Sequence, residues 1–153
     1  MNNEDSYAIH HDVPIGAAPD VVFDLVSTPL GLSEWWSKSA SGFREQDAVY
    51  DFDFGPGYRW KGRVCKLSLE GRLFALEMFE ADSDWNKTVV RFSVSERGNS
   101  SLLGFEHAGW SENNAHFRTS SYCWAMYLRC LKLHAEKGLV YRYEDRFDGI
   151  PVG

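Results

Sequence analysis

The chain has 153 residues, 44% of them hydrophobic, 25% charged and 15% aromatic, with six Trp and a formal net charge of −6. One domain of that length can bury roughly two-thirds of the surface its unfolded chain exposes. The acidic balance, with no run of Lys or Arg forming a stripe, argues against nucleic acid and against an anionic membrane surface as partners.

Residues 1–5 are polar and read as a frayed terminus. From Tyr7, alternation sets in: Tyr7, Ile9, His11, Val13 and Ile15 share one face, His10 and Asp12 the other, and Pro14 places the strand at a sheet edge. Ala17-Ala18-Pro19-Asp20 opens a short helix, with Pro in its first turn and an acid at the positive end. Val22, Phe23, Leu25 and Val26 supply its buried side. Thr28-Pro29 ends it and begins a second short helix carrying Leu30, Leu32, Trp35 and Trp36. Val49 to Phe54 then alternates Asp51 and Asp53 with Tyr50, Phe52 and Phe54. Gly55-Pro56-Gly57 is a tight reversal; a phosphate-binding loop would carry a third glycine and lead into a helix, whereas a strand follows here. In that strand Tyr58, Trp60, Gly62 and Val64 oppose Arg59, Lys61, Arg63 and Cys65, the pattern of a sheet with one wet face. Leu73 to Phe79 is the next strand, and Asp82-Ser83-Asp84 loops it over. Thr88, Val90, Phe92 and Val94 follow, then Ser101, Leu103, Phe105 and His107. Short turns between strands at this spacing require an antiparallel meander.

Asn114 to about Gly138 is the stretch long and periodic enough for a six-turn helix. Phe117, Ser120, Ser121, Trp124, Tyr127, Leu128, Leu131 and Ala135 fall on one side of it. Asn113 or Asn114 can cap its start, and Gly138 supplies a left-handed stop. Tyr122, Met126 and Leu133 lie on the opposite side, either as a contact for a second copy of the chain or as scattered exposed residues. The order points to an α+β fold: a curved antiparallel sheet of about six to seven strands wrapped around a long C-terminal helix, with two short helices after the first strand. The core is expected over about 7–139, with 144–153 peripheral.

Cys123 and Cys130 sit seven residues apart on that helix, about 10 Å along its axis and too far to bridge. With Cys65 they form an odd set, which points to reduced thiols and a cytoplasmic setting. No charged-then-apolar leader and no apolar run of membrane-spanning length occurs. His10 and His11 point to opposite faces, and His116, His134 and the cysteines lack ligand spacing, so no metal or cofactor is expected.

Two residues carry potential chemistry. His107 shares a face with Leu103 and Phe105 and should point into the core; it is either a structural histidine with satisfied nitrogens or an acid/base or ligand-orienting group in a cavity. Glu77 depends on the parity of its strand. If Leu73, Ala75 and Phe79 face inward, so does Glu77; if Phe74, Leu76 and Met78 do, Glu77 is solvated. An inward Glu77 near His107 would form an acid/base pair. Trp36, Trp60, Phe79, Phe92, Phe105, Trp110 and Trp124 are candidate walls of a cavity beside the long helix, or simply close-packed core.

The run Leu103-Gly104-Phe105-Glu106-His107-Ala108-Gly109-Trp110 resembles the L-x-x-x-H-x-G-[FW] signature of the activator of heat-shock-protein-90 ATPase-like family. Cys123 to Lys132 is similar to that family's W-x-x-Y-L-x-x-L-K helix, followed by Glu136-Lys137-Gly138. Ala18-Pro19-Asp20-Val21-Val22-Phe23 and Trp35-Trp36 fit its opening, so the likeness spans about residues 7–139. It implies a START-like, birch-pollen-allergen-like helix-grip fold. Two departures stand out: Gly55-Pro56-Gly57 replaces the family's usual Gly-Gly, and Glu77 stands where the family tends to carry an aromatic, which turns Glu77 toward the cavity. Ligand carriers, cyclases and co-chaperone domains all occur in such families, so membership does not fix the activity. The leading expectation is a non-catalytic binder of a small hydrophobic or aromatic molecule, anchored by His107 and Glu77. The rivals are a cyclase- or hydrolase-like enzyme using those two residues, and a co-chaperone-like module with a chaperone partner.

Overall fold

A computed structural model describes residues 6–147; the expected fraying of 1–5 lies outside the described residues, as do 148–153. In chain order the elements are β1 (Tyr7–Ile15), α1 (Pro19–Ser27), α2 (Pro29–Trp35), β2 (Ser39–Ser41), β3 (Val49–Asp53), β4 (Arg59–Ser68), β5 (Leu73–Glu80), β6 (Val89–Arg97), β7 (Ser100–Trp110) and α3 (Ala115–Lys137). The strands form one antiparallel sheet of seven in the order β1-β7-β6-β5-β4-β3-β2. The α+β helix-grip architecture expected from the sequence is the one observed.

Local chemistry accounts for the element ends. Pro14 lies on edge strand β1, opposite Leu102, where a missing backbone donor costs nothing toward solvent. Thr28 caps α2, its Oγ1 accepting from the Gly31 amide at 3.0 Å. Gly31 lets α2 fold tightly onto α1, since a Cβ there would sit 2.5 Å from the Asp24 carbonyl oxygen. Asn114 caps α3 by accepting from the Phe117 amide at 2.9 Å, and Gly138 closes the helix in the left-handed region at φ 69°.

The inner face of the sheet (Val64, Phe74, Leu76, Met78, Val90, Phe92, Leu103 and Phe105) packs beneath Trp124, Leu128 and Leu131 of α3. Four sequence expectations need correction. On β5, Phe74, Leu76 and Met78 point inward, so Glu77 is exposed on the outer face. Phe79 stands on that face too, 39% exposed, with the Arg63 guanidinium 5.2 Å over its ring. The described part of the C-terminal segment, 144–147, is not peripheral. Arg146 is buried, and its guanidinium donates to the carbonyls of Ser33, Trp36, Ser37 and Tyr141 at 3.0, 2.9, 3.0 and 3.2 Å. The first three are carbonyls at the C-terminal end of α2, where a cation satisfies otherwise orphaned acceptors. The residues Tyr122, Met126 and Leu133 do not form one exposed row: Tyr122 is exposed, while Met126 and Leu133 pack against the core.

Candidate functional site

Where α3 passes the β3–β4 hairpin, sheet and helix leave a cavity of about 570 Å³. Trp36 closes one side from the end of α2, Phe54, Tyr58 and Trp60 come from the hairpin, and His116, Thr119, Ser120, Cys123, Trp124 and Tyr127 from α3. Trp85 enters from the β5–β6 loop, and Tyr143 and Phe147 from the C-terminal segment. Tyr58 and Phe147 remain 57% and 42% exposed, which places them at the mouth.

Each wall is held by a specific device. The Asp82 carboxylate accepts from the Asp84 and Trp85 amides at 3.0 and 2.8 Å, and Asn86 Oδ1 accepts from the Ala81 amide at 2.7 Å. These bonds make the loop compact and leave Trp85 only 7% exposed. The Tyr143 hydroxyl donates to the Phe54 carbonyl at 2.9 Å, tying the C-terminal segment to the hairpin. The Tyr127 phenol, pushed up mainly by burial, also donates to the Tyr143 oxygen. Burial likewise raises the Cys123 thiol, so this wall residue stays protonated at neutral pH.

Trp36, Trp60 and Trp124, expected as cavity walls from their place in the sequence, line this cavity. Phe92, Phe105 and Trp110 do not: they lie 0%, 3% and 1% exposed in the packed core, Phe105 against Trp124 and Trp110 against His107 and Phe117. Phe79 and Glu77 face the opposite side of the sheet.

His107 takes the structural reading. It has no exposed surface, and both ring nitrogens are engaged. The Trp124 indole N–H donates to Nδ1 at 3.0 Å, and an indole can only donate. Nε2 must then carry the proton and donate to Thr88 Oγ1 at 2.8 Å, which donates in turn to the Trp85 carbonyl at 2.5 Å. Burial, with a smaller contribution from His116, lowers the His107 pKa to about 3. The imidazole is a neutral brace joining two pocket walls, Trp85 and Trp124, and cannot also serve a ligand. With Glu77 on the far face, the pair proposed for acid/base work cannot share a substrate.

Sequence reasoning missed Trp85, Phe54, Tyr58, Tyr127, Tyr143, Phe147 and His116 as site residues. Trp85 carried a signal: a lone indole in the polar run Asp82-Ser83-Asp84-Trp85-Asn86 has no reason to be there unless it is buried. His116 gave none, because its Nδ1 meets Asp84 Oδ2 at 2.8 Å and its Nε2 lies 3.6 Å from Asp82 Oδ2 only once the loop folds over α3.

No family model and no curated protein matches the chain. Solved structures do. The Aha1 dimer from Colwellia psychrerythraea, determined in solution, is 24% identical with a TM-score of 0.77, covering 86% of this chain and 98% of that one. CalU16 from Micromonospora echinospora is 18% identical with a TM-score of 0.68, covering 94% and 84%. DynU16, a protein of the dynemicin biosynthetic locus, is 18% identical with a TM-score of 0.72, and this chain, of which 90% is covered, spans 50% of its length. At these identities the likeness establishes a shared helix-grip fold. No helix among the described residues is long and apolar enough to cross a membrane.

Proposed function

We propose that this chain binds a small hydrophobic or aromatic molecule, without catalysing its conversion, in the cavity between α3 and the β3–β4 hairpin. The observation that carries this reading is the wall itself: nine of the thirteen lining residues are Trp, Phe or Tyr, around about 570 Å³ of space. Burying one flat ring of about 150 Å² there is worth roughly 4 kcal/mol before ordering costs, so micromolar binding takes a second ring or a hydrogen bond besides. Thr119, Ser120 and His116 are among the polar side chains on the wall that can supply one. Because His107 and Glu77 are out of reach, the cyclase- or hydrolase-like alternative loses its proposed machinery. A chaperone-directed role rests on the sequence resemblance alone. The Aha1 structure is that of a dimer, which supports self-association of this chain as a proposal that sedimentation can decide. Three free cysteines, one of them buried, fit a reducing compartment such as the cytoplasm. The test of the main reading is a thermal-shift panel of aromatic and lipid-like compounds. Stabilisation by aromatic members, lost in Trp85→Ala, is the expected result; no stabilisation by any compound overturns it.

A further inference from the structure

Resting on that reading, we infer the ligand's class: a planar aromatic bearing a positive charge, as an aryl-alkylammonium does, seated along the indoles of Trp36, Trp85 and Trp124 with its charge on the His116 side. Three observations converge on it.

The first concerns shape. The Trp36 and Trp85 planes lie within 16° of each other, Trp85 and Trp124 within 24°, and Trp36 and Trp124 within 30°, with centroids 6.5, 5.9 and 5.0 Å apart. A flat ring parallel to one indole is then nearly parallel to all three, so stacking contacts add. A flexible alkyl chain gains nothing from such alignment and loses more rotamer freedom on binding.

The second concerns what an anion would need. Among the described residues, no Lys or Arg lines the cavity. The nearby guanidinium of Arg146 is buried and committed to four backbone carbonyls, so it cannot turn toward a carboxylate or phosphate. An anionic head group would lose its hydration with no Lys or Arg donor in return.

The third concerns what favours a cation. Indole faces attract cations through their quadrupole, more strongly where water is excluded. At the cavity wall, His116 is bracketed by the carboxylates of Asp82 and Asp84 at 3.6 and 2.8 Å. That trio carries two negative charges when the imidazole is neutral and one when it is protonated, so its field is negative in either state. The net charge of −6 draws cations toward the molecule as well.

The experiment compares four ligands on the full chain at pH 7 and low salt, by calorimetry or indole quenching: 1-naphthylmethylammonium, neutral 1-naphthalenemethanol, 1-naphthoate and n-octylammonium. The expected order is naphthyl cation, then neutral, then anion, with the cation at least about tenfold tighter than the anion and tighter than octylammonium. Asp84→Asn should narrow the gap between cation and neutral, with thermal unfolding of the unliganded variant as the check on folding. Equal binding of cation and neutral, an anion bound as tightly, octylammonium matching the naphthyl cation, or a cation–neutral gap untouched by Asp84→Asn overturns this inference. In each of those cases ligand binding in the cavity stands. If these four and the whole thermal-shift panel fail to bind, the parent reading falls too.

Discussion

The two ends of the interface between sheet and long helix use the same residue types to opposite effect. Toward β6 and β7, Phe92, Phe105, His107 and Trp110 are at most 3% exposed, and they fill their space. Toward β3 and β4, Trp36, Trp85 and Trp124 are nearly as buried, at 2%, 7% and 1%, yet they border about 570 Å³ of open volume. Bulk alone does not distinguish core from cavity. What differs is the scaffolding: at the open end, Arg146, the Tyr143–Phe54 hydrogen bond and the Asp82-capped loop fix the elements whose rings border the space. Trp124 belongs to both ends, donating to His107 on one side and facing the cavity on the other.

Truncating that shared residue should break the comparison most completely. Trp124→Ala is expected to cost about 3–5 kcal/mol in urea unfolding, because it empties a core site and orphans His107 Nδ1. It should abolish aromatic-ligand binding as well. Trp124→Phe sharpens the point, since it keeps a ring at the cavity while still removing the donor, and should retain much of the binding at reduced stability. Next is Arg146→Met, expected to cost about 2–3 kcal/mol through the lost charge-assisted bonds to the end of α2. Its diagnostic effect is weaker ligand affinity, because Tyr143 and Phe147 lose their anchor; unchanged affinity would show the C-terminal segment to be a bystander.

Acid should distinguish the closed end from the open one. In the unfolded chain a histidine takes up its proton near pH 6.5, whereas His107 in the folded state holds off until about pH 3. Between those values the unfolded state binds the extra proton, so stability from this group is complete above pH 6.5 and declines on acidification by about 1.4 kcal/mol per pH unit. A His107→Leu variant, compared with the parent by chemical denaturation at pH 7 and pH 4.5, should lack this component of the slope. The smallest effect is expected at Glu77, exposed on the outer face: Glu77→Gln should stay within about 0.5 kcal/mol of the parent and bind ligand equally well.

The fold was legible in the sequence because periodicity and end signals agreed. Asn114 and Gly138 marked α3 to within one residue, and the alternation through Val90, Phe92 and Val94 gave the correct inner face. Where both parities carried apolar residues, as at Leu73 to Phe79, the pattern left two answers and packing decided between them. The short strand β2 carried no alternation to detect. The cavity was only partly legible, since Trp36, Trp60 and Trp124 could be named as wall residues but not separated from Phe92, Phe105 and Trp110. That separation depends on tertiary supports far apart in the chain, such as Arg146 on the carbonyl of Trp36. His107 was located correctly, but its role was set by Trp124 and Thr88, neither of which a one-dimensional pattern could assign as its partner.

The most direct test follows the six indole N–H resonances in a nitrogen-15-labelled sample titrated with 1-naphthalenemethanol. The account requires the signals of Trp36, Trp60, Trp85 and Trp124 to move together along one saturating curve, while Trp35, hydrogen-bonded to the Leu25 carbonyl, and Trp110, in the packed core, stay in place. Shifts absent from those four indoles, or spread evenly over all six, would contradict a ligand site between the helix and the sheet.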